Sequence, residues 1–209
     1  GTGKTTKFTI PNLLEIKDYS IIVTDPSGEL HEKTANILET TKDVSIIKLA
    51  PFEEGTEQFN PLEGINTLSK AKQIATTLTT QLEGNSDPFW SMSGGTLLTS
   101  MILLANEQGI PTFSEILNYL SLDKEELNEI VASLGKNETD TEEDDKQKKE
   151  RLRIIRQEYS LYRQSSEQTG ASILATAKAA ISIFSDENFA AATQKNTVDF
   201  KMLRNKRCV

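Results

Sequence analysis

Histidine and cysteine are almost missing from this 209-residue chain: His31 and Cys208 are the only ones. One thiol cannot form an internal disulfide, and one imidazole with one thiol cannot make a Cys/His zinc site. Ser-His-Asp or Cys-His catalysis would have to run through His31, which sits in the polar run Gly28-Glu29-Leu30-His31-Glu32 and reads as a solvated helix residue. Long apolar runs are missing too. No stretch approaches 18 consecutive apolar residues, so nothing predicts a membrane span, and no segment reads as a signal peptide. Positive charge is in deficit, with 23 Lys and Arg against 31 Asp and Glu and a net charge of −8. Such a surface does not attract a polyanion as a whole, and any nucleic-acid contact must come from a local patch. A lone cysteine suits a reducing cytoplasm. With 36% apolar residues the chain can bury a real core, as one domain or one domain carrying an insert.

What is present begins at the first residue. Gly1-Thr2-Gly3-Lys4-Thr5-Thr6 reads as the end of a Walker A loop, G-x-x-x-x-G-K-[ST], with its leading glycine upstream. Gly3 lets the backbone turn so that successive amides face phosphate oxygens. Lys4 would set a point charge against the β- and γ-phosphates of ATP, and the Thr5 hydroxyl would ligate Mg²⁺. A helix-compatible segment, Thr5 to Glu15, follows, and it would aim its positive end at the same anion. Pro11 predicts a kink or early stop near Ile10. The run Ser20-Ile21-Ile22-Val23-Thr24-Asp25 then reads as a buried strand of a parallel sheet. Loop, helix and strand in this order predict an α/β P-loop domain. The chain starts inside the motif and stops at Arg207-Cys208-Val209, so it is expected to be truncated at both ends.

Asp25-Pro26-Ser27-Gly28-Glu29 follows that strand and leaves two readings open. Asp25 could order Mg²⁺ or the attacking water, a catalytic role it would share with Lys4. Equally, Asp-Pro is a common helix start, with the carboxylate as cap. A helix from about Ser27 to Thr40 and a second buried strand, 44–49, come next. Pro51 ends that strand, and Phe59-Asn60-Pro61-Leu62 reads as a domain exit.

From Leu68 to about Ala191 the apolar spacing is helical throughout. Ala71, Ile74, Ala75 and Leu78 form one stripe, Leu97, Leu98, Met101 and Ile102 another, and Ile173 to Phe184 a later one. Trp90, in Asp87-Pro88-Phe89-Trp90, reads as a packing anchor. Together these stretches resemble the type IV coupling protein family, the TraG/TraD-type conjugation ATPases. The resemblance rests on Gly3-Lys4-Thr5-Thr6 with Ile10-Pro11-Asn12-Leu13-Leu14, Val23 to Leu30, Phe59-Asn60-Pro61-Leu62, Asp87-Pro88-Phe89-Trp90, and the tail Asn196-Thr197-Val198-Asp199-Phe200. It covers essentially the whole chain.

The resemblance implies a RecA-like, homo-hexameric motor with a large all-α domain inserted into its nucleotide-binding domain. On this reading residues 1–66 are part of the nucleotide domain, 67–192 the all-α domain that engages substrate, and 193–209 the return, ending before Walker B. The implied cofactors are ATP, held by Gly1, Thr2, Gly3, Lys4, Thr5 and Thr6, and Mg²⁺ on Thr5. The implied partners are DNA, relaxase and relaxosome proteins, and components of the secretion channel. The intact protein would sit at the cytoplasmic face of the cell membrane, held by helices outside this chain. Without the downstream Asp-Glu of Walker B, the chain is not expected to hydrolyse ATP unaided. Two rivals stand beside this reading: a DNA translocase of the FtsK/HerA type, and a substrate-docking module without catalysis.

One segment carries blocks of charge. Residues 137–145 hold six acids, Glu138, Asp140, Glu142, Glu143, Asp144 and Asp145, and read as a loop. Lys146 to Arg163 hold seven bases against Glu150 and Glu158, and read as a helix with Ile154 and Ile155 inward and Tyr159 and Tyr162 partly exposed. This helix is either a solvated face or a docking face for DNA or a relaxosome protein, with Lys148, Lys149, Arg151, Arg153 and Arg156 as the contact residues.

Overall fold

Pro11 cannot donate to the carbonyl of Lys7, and its ring crowds that carbonyl. The helix absorbs this with a wide turn: Thr5–Thr9 winds as a π-helix, and regular α-helix α1 begins at Ile10 and ends at Glu15, with the proline in its first turn. The Asn12 side-chain amide donates to the Phe8 carbonyl at 2.7 Å. The computed structural model describes residues 3–42, 44–82, 87–135, 142–205 and 207–209, without the side chains at 41–42 and 142–145. Gly1 and Thr2 of the loop motif, and Glu138 and Asp140 of the acidic run, therefore lie outside the described residues, as do the side chains of Glu142, Glu143, Asp144 and Asp145. The chain forms two units, Gly1–Phe59 with Asn196–Val209, and Asn60–Lys195.

The first unit also holds α2, Glu29–Lys42, and a 3-10 turn at Phe200–Arg204. Its core is small: Leu13, Leu38 and Val44, backed by Leu14, Ile21, Val23, Ile46 and Val209. The runs read as strands are extended but form no sheet. Ile21 N–H donates to the Cys208 carbonyl at 2.9 Å, Ile47 N–H to the Val209 carbonyl at 2.8 Å, and Val209 N–H to the Ser45 carbonyl at 2.9 Å. Among the described residues this amounts to one isolated parallel bridge, Ser45 to Cys208. The expected α/β, RecA-like P-loop fold is thus corrected: the structure is 66% helical, with 1% strand and no sheet. The physical reason is partner length. A strand needs a neighbour of similar extent, and among the described residues the longest segment that bonds to either run is 207–209. β-branched content favours extended backbone but cannot supply a ladder.

The second unit is built on α4, Pro88–Glu107. Pro88 opens it, and the Asp87 carboxylate caps it by accepting from Phe89 N–H at 2.9 Å. From Ser93 to Ala105 every residue but Thr96 is buried, so α4 has no wet face of any width and must be surrounded. Helices α3, Leu68–Thr80, α7, Glu142–Gln164, and α8, Glu167–Ala180, do this. Closeness to α8 depends on Gly94, where a Cβ would lie 2.8 Å from Thr176 Cγ2 and 3.2 Å from the Ala177 backbone nitrogen. Helices α5, Phe113–Ser121, α6, Lys124–Ser133, and α9, Glu187–Ala192, complete the unit. Phe113 stacks on Phe184 with centroids 3.6 Å apart. Trp90 is half-buried and packs against this core.

Helix α7 buries Leu152, Ile155, Tyr159 and Tyr162, a row at spacings of three, four and three. The two tyrosines, expected to be partly exposed, are therefore core residues, and Tyr159 donates its phenol to Asn128 Oδ1 at 3.0 Å. Buried Glu158 pairs with Lys72 of α3 at 3.1 Å. At the unit's start, buried Asn60 donates to the carbonyls of Pro111 at 2.8 Å and Gln194 at 3.2 Å, and accepts from Leu62 N–H at 2.9 Å. One amide thus ties the first residue of the unit to its penultimate one.

Gly94→Ala is expected to destabilise the second unit by about 1–2 kcal/mol, because overpacking outweighs the roughly 1 kcal/mol of added helix propensity. Adding Thr176→Ala should recover most of the loss, and thermal melts of the single and double variants will show whether it does. Burial, helped by the Glu115 carboxylate, raises the Tyr119 phenol above its ordinary value, and burial next to Tyr162 raises Tyr159 likewise. Both folded values are raised, so the unfolded chain ionises first. The stability these groups contribute is complete below pH about 10 and declines as pH rises beyond it. Denaturant midpoints on either side of that pH should fall less for Tyr159→Phe than for the parent.

Candidate functional site

Gly3 has a φ of +66°, a left-handed conformation in which a side chain is strained. Space is not the reason for glycine there, since a Cβ would only touch the Lys7 side chain at 3.6 Å. The Gly3 carbonyl accepts from Lys7 N–H at 2.9 Å and from the Thr6 hydroxyl at 3.4 Å. Helical geometry begins at Lys4, with φ −59° and ψ −44°. Lys4 is exposed and makes no ion pair among the described residues, and Thr5 is half-buried. Lys4, Thr5 and Thr6 thus stand at the positive end of a helix, directly after a glycine turned left-handed.

Asp25 is placed by the turn before α2. Its Oδ2 accepts from His31 N–H at 3.0 Å, and its Oδ1 from the Ser27 hydroxyl at 3.3 Å. Gly28, at φ +71°, closes the turn by donating its N–H to the Asp25 carbonyl at 3.1 Å. Helix α2 begins at Glu29, so Asp25-Pro26 is not its cap and first residue, but the Asp25 carboxylate holds the His31 amide of its first turn. His31 lies exposed on α2.

A cavity of about 350 Å³ in the same unit is lined by Asp25 to Gly28, one side of α2, residues 46–50 and Phe200. Residues 3–7 are not among its lining, so the structure does not bring Lys4 and Asp25 into one cavity. Its walls are mainly aliphatic, with an ion pair between Lys48 and Glu53 at 2.5 Å. Among the described residues no cluster of three or more Asp, Glu, His or Cys is placed to hold a metal.

A nucleoside triphosphate with Mg²⁺ requires a phosphate cradle, a cation and a hydroxyl. Gly3's conformation, the exposed Lys4 ammonium and the Thr5 hydroxyl fit that group.

The bases of α7 are already divided among other tasks. Arg151 Nε donates to Glu107 at 2.9 Å, and Arg156 Nη2 to the Leu134 carbonyl at 2.6 Å, fastening α7 to its neighbours. Arg153 grips Glu150 at 2.6 Å and Gln157 at 3.1 Å, and its guanidinium holds the Glu150 carboxyl below its usual value. Lys148 and Lys149 have contacts of their own. Sequence reading treated Asn60 only as a turn residue, and nothing in Phe59-Asn60-Pro61-Leu62 signals that its side chain is buried.

A family model described as type IV secretory system conjugative DNA transfer matches residues 1–209. Among curated proteins there is no match to the chain. No helix of the described residues is long and apolar enough to cross a membrane.

Because Asp25 holds a first-turn amide of α2, Asp25→Ala should destabilise the first unit by about 1 kcal/mol, whereas Asp25→Asn, which keeps an acceptor, should cost far less. Equal losses in a chemical denaturation series would count against that role.

Proposed function

Because the chain belongs to the type IV secretory system conjugative DNA transfer family, we propose that its Gly3-Lys4-Thr5-Thr6 segment binds ATP with Mg²⁺ for that transfer. What carries this reading is the conjunction of a family match over the whole chain with a left-handed Gly3 directly before a helix that begins at an exposed Lys4. Lys4 would set its ammonium against the β- and γ-phosphates, and the Thr5 hydroxyl would be a ligand of Mg²⁺. The first-turn amides and the helix's positive end would add fixed partial charge at the same place. Gly1 and Thr2 would complete the cradle. Asp25 would act at one remove, by fixing the start of α2. Bound ATP would supply the free energy for moving substrate.

The finer account rests on the family resemblance. In it the intact protein is a homo-hexamer at the cytoplasmic face of the membrane. It recruits DNA with its relaxase and delivers them to the secretion channel, and the second unit is the part that engages substrate. The charge bookkeeping of α7 supports a narrower version, since Arg151 and Arg156 already serve the fold.

Calorimetric titration of a protein carrying the complete loop is expected to find ATP·Mg²⁺ binding that Lys4→Ala weakens at least tenfold, or about 1.4 kcal/mol. The circular dichroism spectrum should stay unchanged. Equal affinity of the two proteins would remove the nucleotide assignment and leave the family membership untouched.

A further inference from the structure

The helix that begins at Lys4 changes its winding once. Lys7 N–H donates four residues back, to the Gly3 carbonyl at 2.9 Å, and Ile16 N–H does the same to the Asn12 carbonyl at 3.0 Å. Between them Ile10 N–H reaches five residues back, to the Thr5 carbonyl. A turn closed in this way holds one residue more than an α-helical turn. Tertiary packing does not impose it, since no residue of Thr5–Thr9 is buried and Phe8 is 70% exposed. Pro11 does impose it: it has no N–H for the Lys7 carbonyl, and its ring holds the preceding turn open. The Asn12 side-chain amide gives the loosened turn an extra bond, at the Phe8 carbonyl.

Winding sets direction. Leu13, toward the far end of the helix, is buried with Leu38 and Val44, so that end is fixed and any change of winding passes to Lys4, Thr5 and Thr6. One residue more or less in the turn rotates them by about 100° about the axis, and at a Cα radius of ~2.3 Å it displaces each Cα by about 3.5 Å. Binding groups keep their function only within about 0.5 Å and roughly 10–20° of the productive geometry. Winding therefore decides, together with residue type, where the loop's cation and hydroxyls point.

We propose that Pro11 is a positioning residue: by holding 5–9 in the wide turn, it sets the angle at which Lys4, Thr5 and Thr6 leave the helix toward the phosphates and Mg²⁺. The proposal rests on the nucleotide reading of those residues. Pro11 acts through the backbone alone. Stability by itself would not select proline there, because an ordinary residue supplies an N–H for the Lys7 carbonyl and closes a regular turn. The wide turn is thus held against the local preference of the helix, which is the usual situation of a π-turn at a functional site.

The test compares the parent protein with its complete loop, Pro11→Ala, and Pro11→Ala with Phe8 deleted. Through-hydrogen-bond NMR couplings read the winding without nucleotide, and calorimetry reads ATP·Mg²⁺ affinity. The parent shows a coupling from Ile10 N–H to the Thr5 carbonyl. Pro11→Ala replaces it with one to the Thr6 carbonyl, holds or raises the melting temperature, and loses at least roughly tenfold in affinity. A variant that merely loosened the helix would lose stability as well. Deleting the exposed Phe8 from Pro11→Ala takes one residue out of a regular helix and turns Lys4 back by about 100°, so affinity returns to within about threefold of the parent. Three results overturn the proposal and leave the nucleotide reading intact: a parent without the Ile10–Thr5 coupling, a Pro11→Ala variant that keeps it, and equal affinity after the turn has rewound. A folded deletion variant that binds no better than Pro11→Ala does the same. A parent that does not bind ATP·Mg²⁺ removes the nucleotide reading and this proposal with it. The parent's coupling tests the winding even if a variant fails to fold.

Discussion

Burial of α4 on every side is the constraint from which the larger unit follows. A helix of 20 residues with almost no polar face cannot lie at a surface, so other helices must cover it around its whole circumference. That requirement brings α3, α7 and α8 onto it. It also explains the small residues in its first half. Ser91, Ser93, Gly94 and Gly95 are buried there, and at Gly94 the Thr176 side chain of α8 comes closer than a Cβ would allow. Ser91, Thr99 and Ser100 are tolerated in this interior because they bond carbonyls of their own helix, those of Pro88, Gly95 and Leu97.

Charge in this unit works mainly within the fold. Glu158 is buried and would be costly alone; Lys72 meets it. Arg151 and Arg156 fasten α7 through Glu107 and the Leu134 carbonyl, and Lys124 donates to the Ser165 carbonyl while lying over the Tyr162 ring. A basic stretch in a sequence is therefore not equivalent to a basic surface. Only the residues turned away from the bundle are available to a partner, and which ones these are depends on a rotation of 100° per residue about the helix axis.

The smaller unit is governed by the opposite condition. Its extended runs have few neighbours, its core is small, and Phe8, Tyr19, Ile22 and Phe52 are exposed. What it does hold firmly is local. A left-handed glycine precedes one helix start, and an aspartate holds a first-turn amide of another. Both features come from residues adjacent in the chain, and such geometry does not require a sheet.

The parts legible in sequence are those whose cause is local. Helical spacing marked the segments that became α3, α4, α5 and α8, and Pro11 marked where the first helix changes its winding. The order of short motifs was enough to indicate the family. The extended runs misled because a β-branched stretch specifies backbone shape, while a sheet depends on partners of matching length, and among the described residues the longest segment that bonds to either run is 207–209. Tyr159 and Tyr162 were placed at the surface because a polar tip suits either environment; contact with α4 and α6 decided for burial. Asn60 looked like a turn, yet its partners, Pro111 and Gln194, lie 51 and 134 residues away. Residue types and their spacing thus determined helices, caps and motif. Tertiary structure alone decided which polar groups are buried and which cations face outward, because burial depends on neighbours distant in the chain.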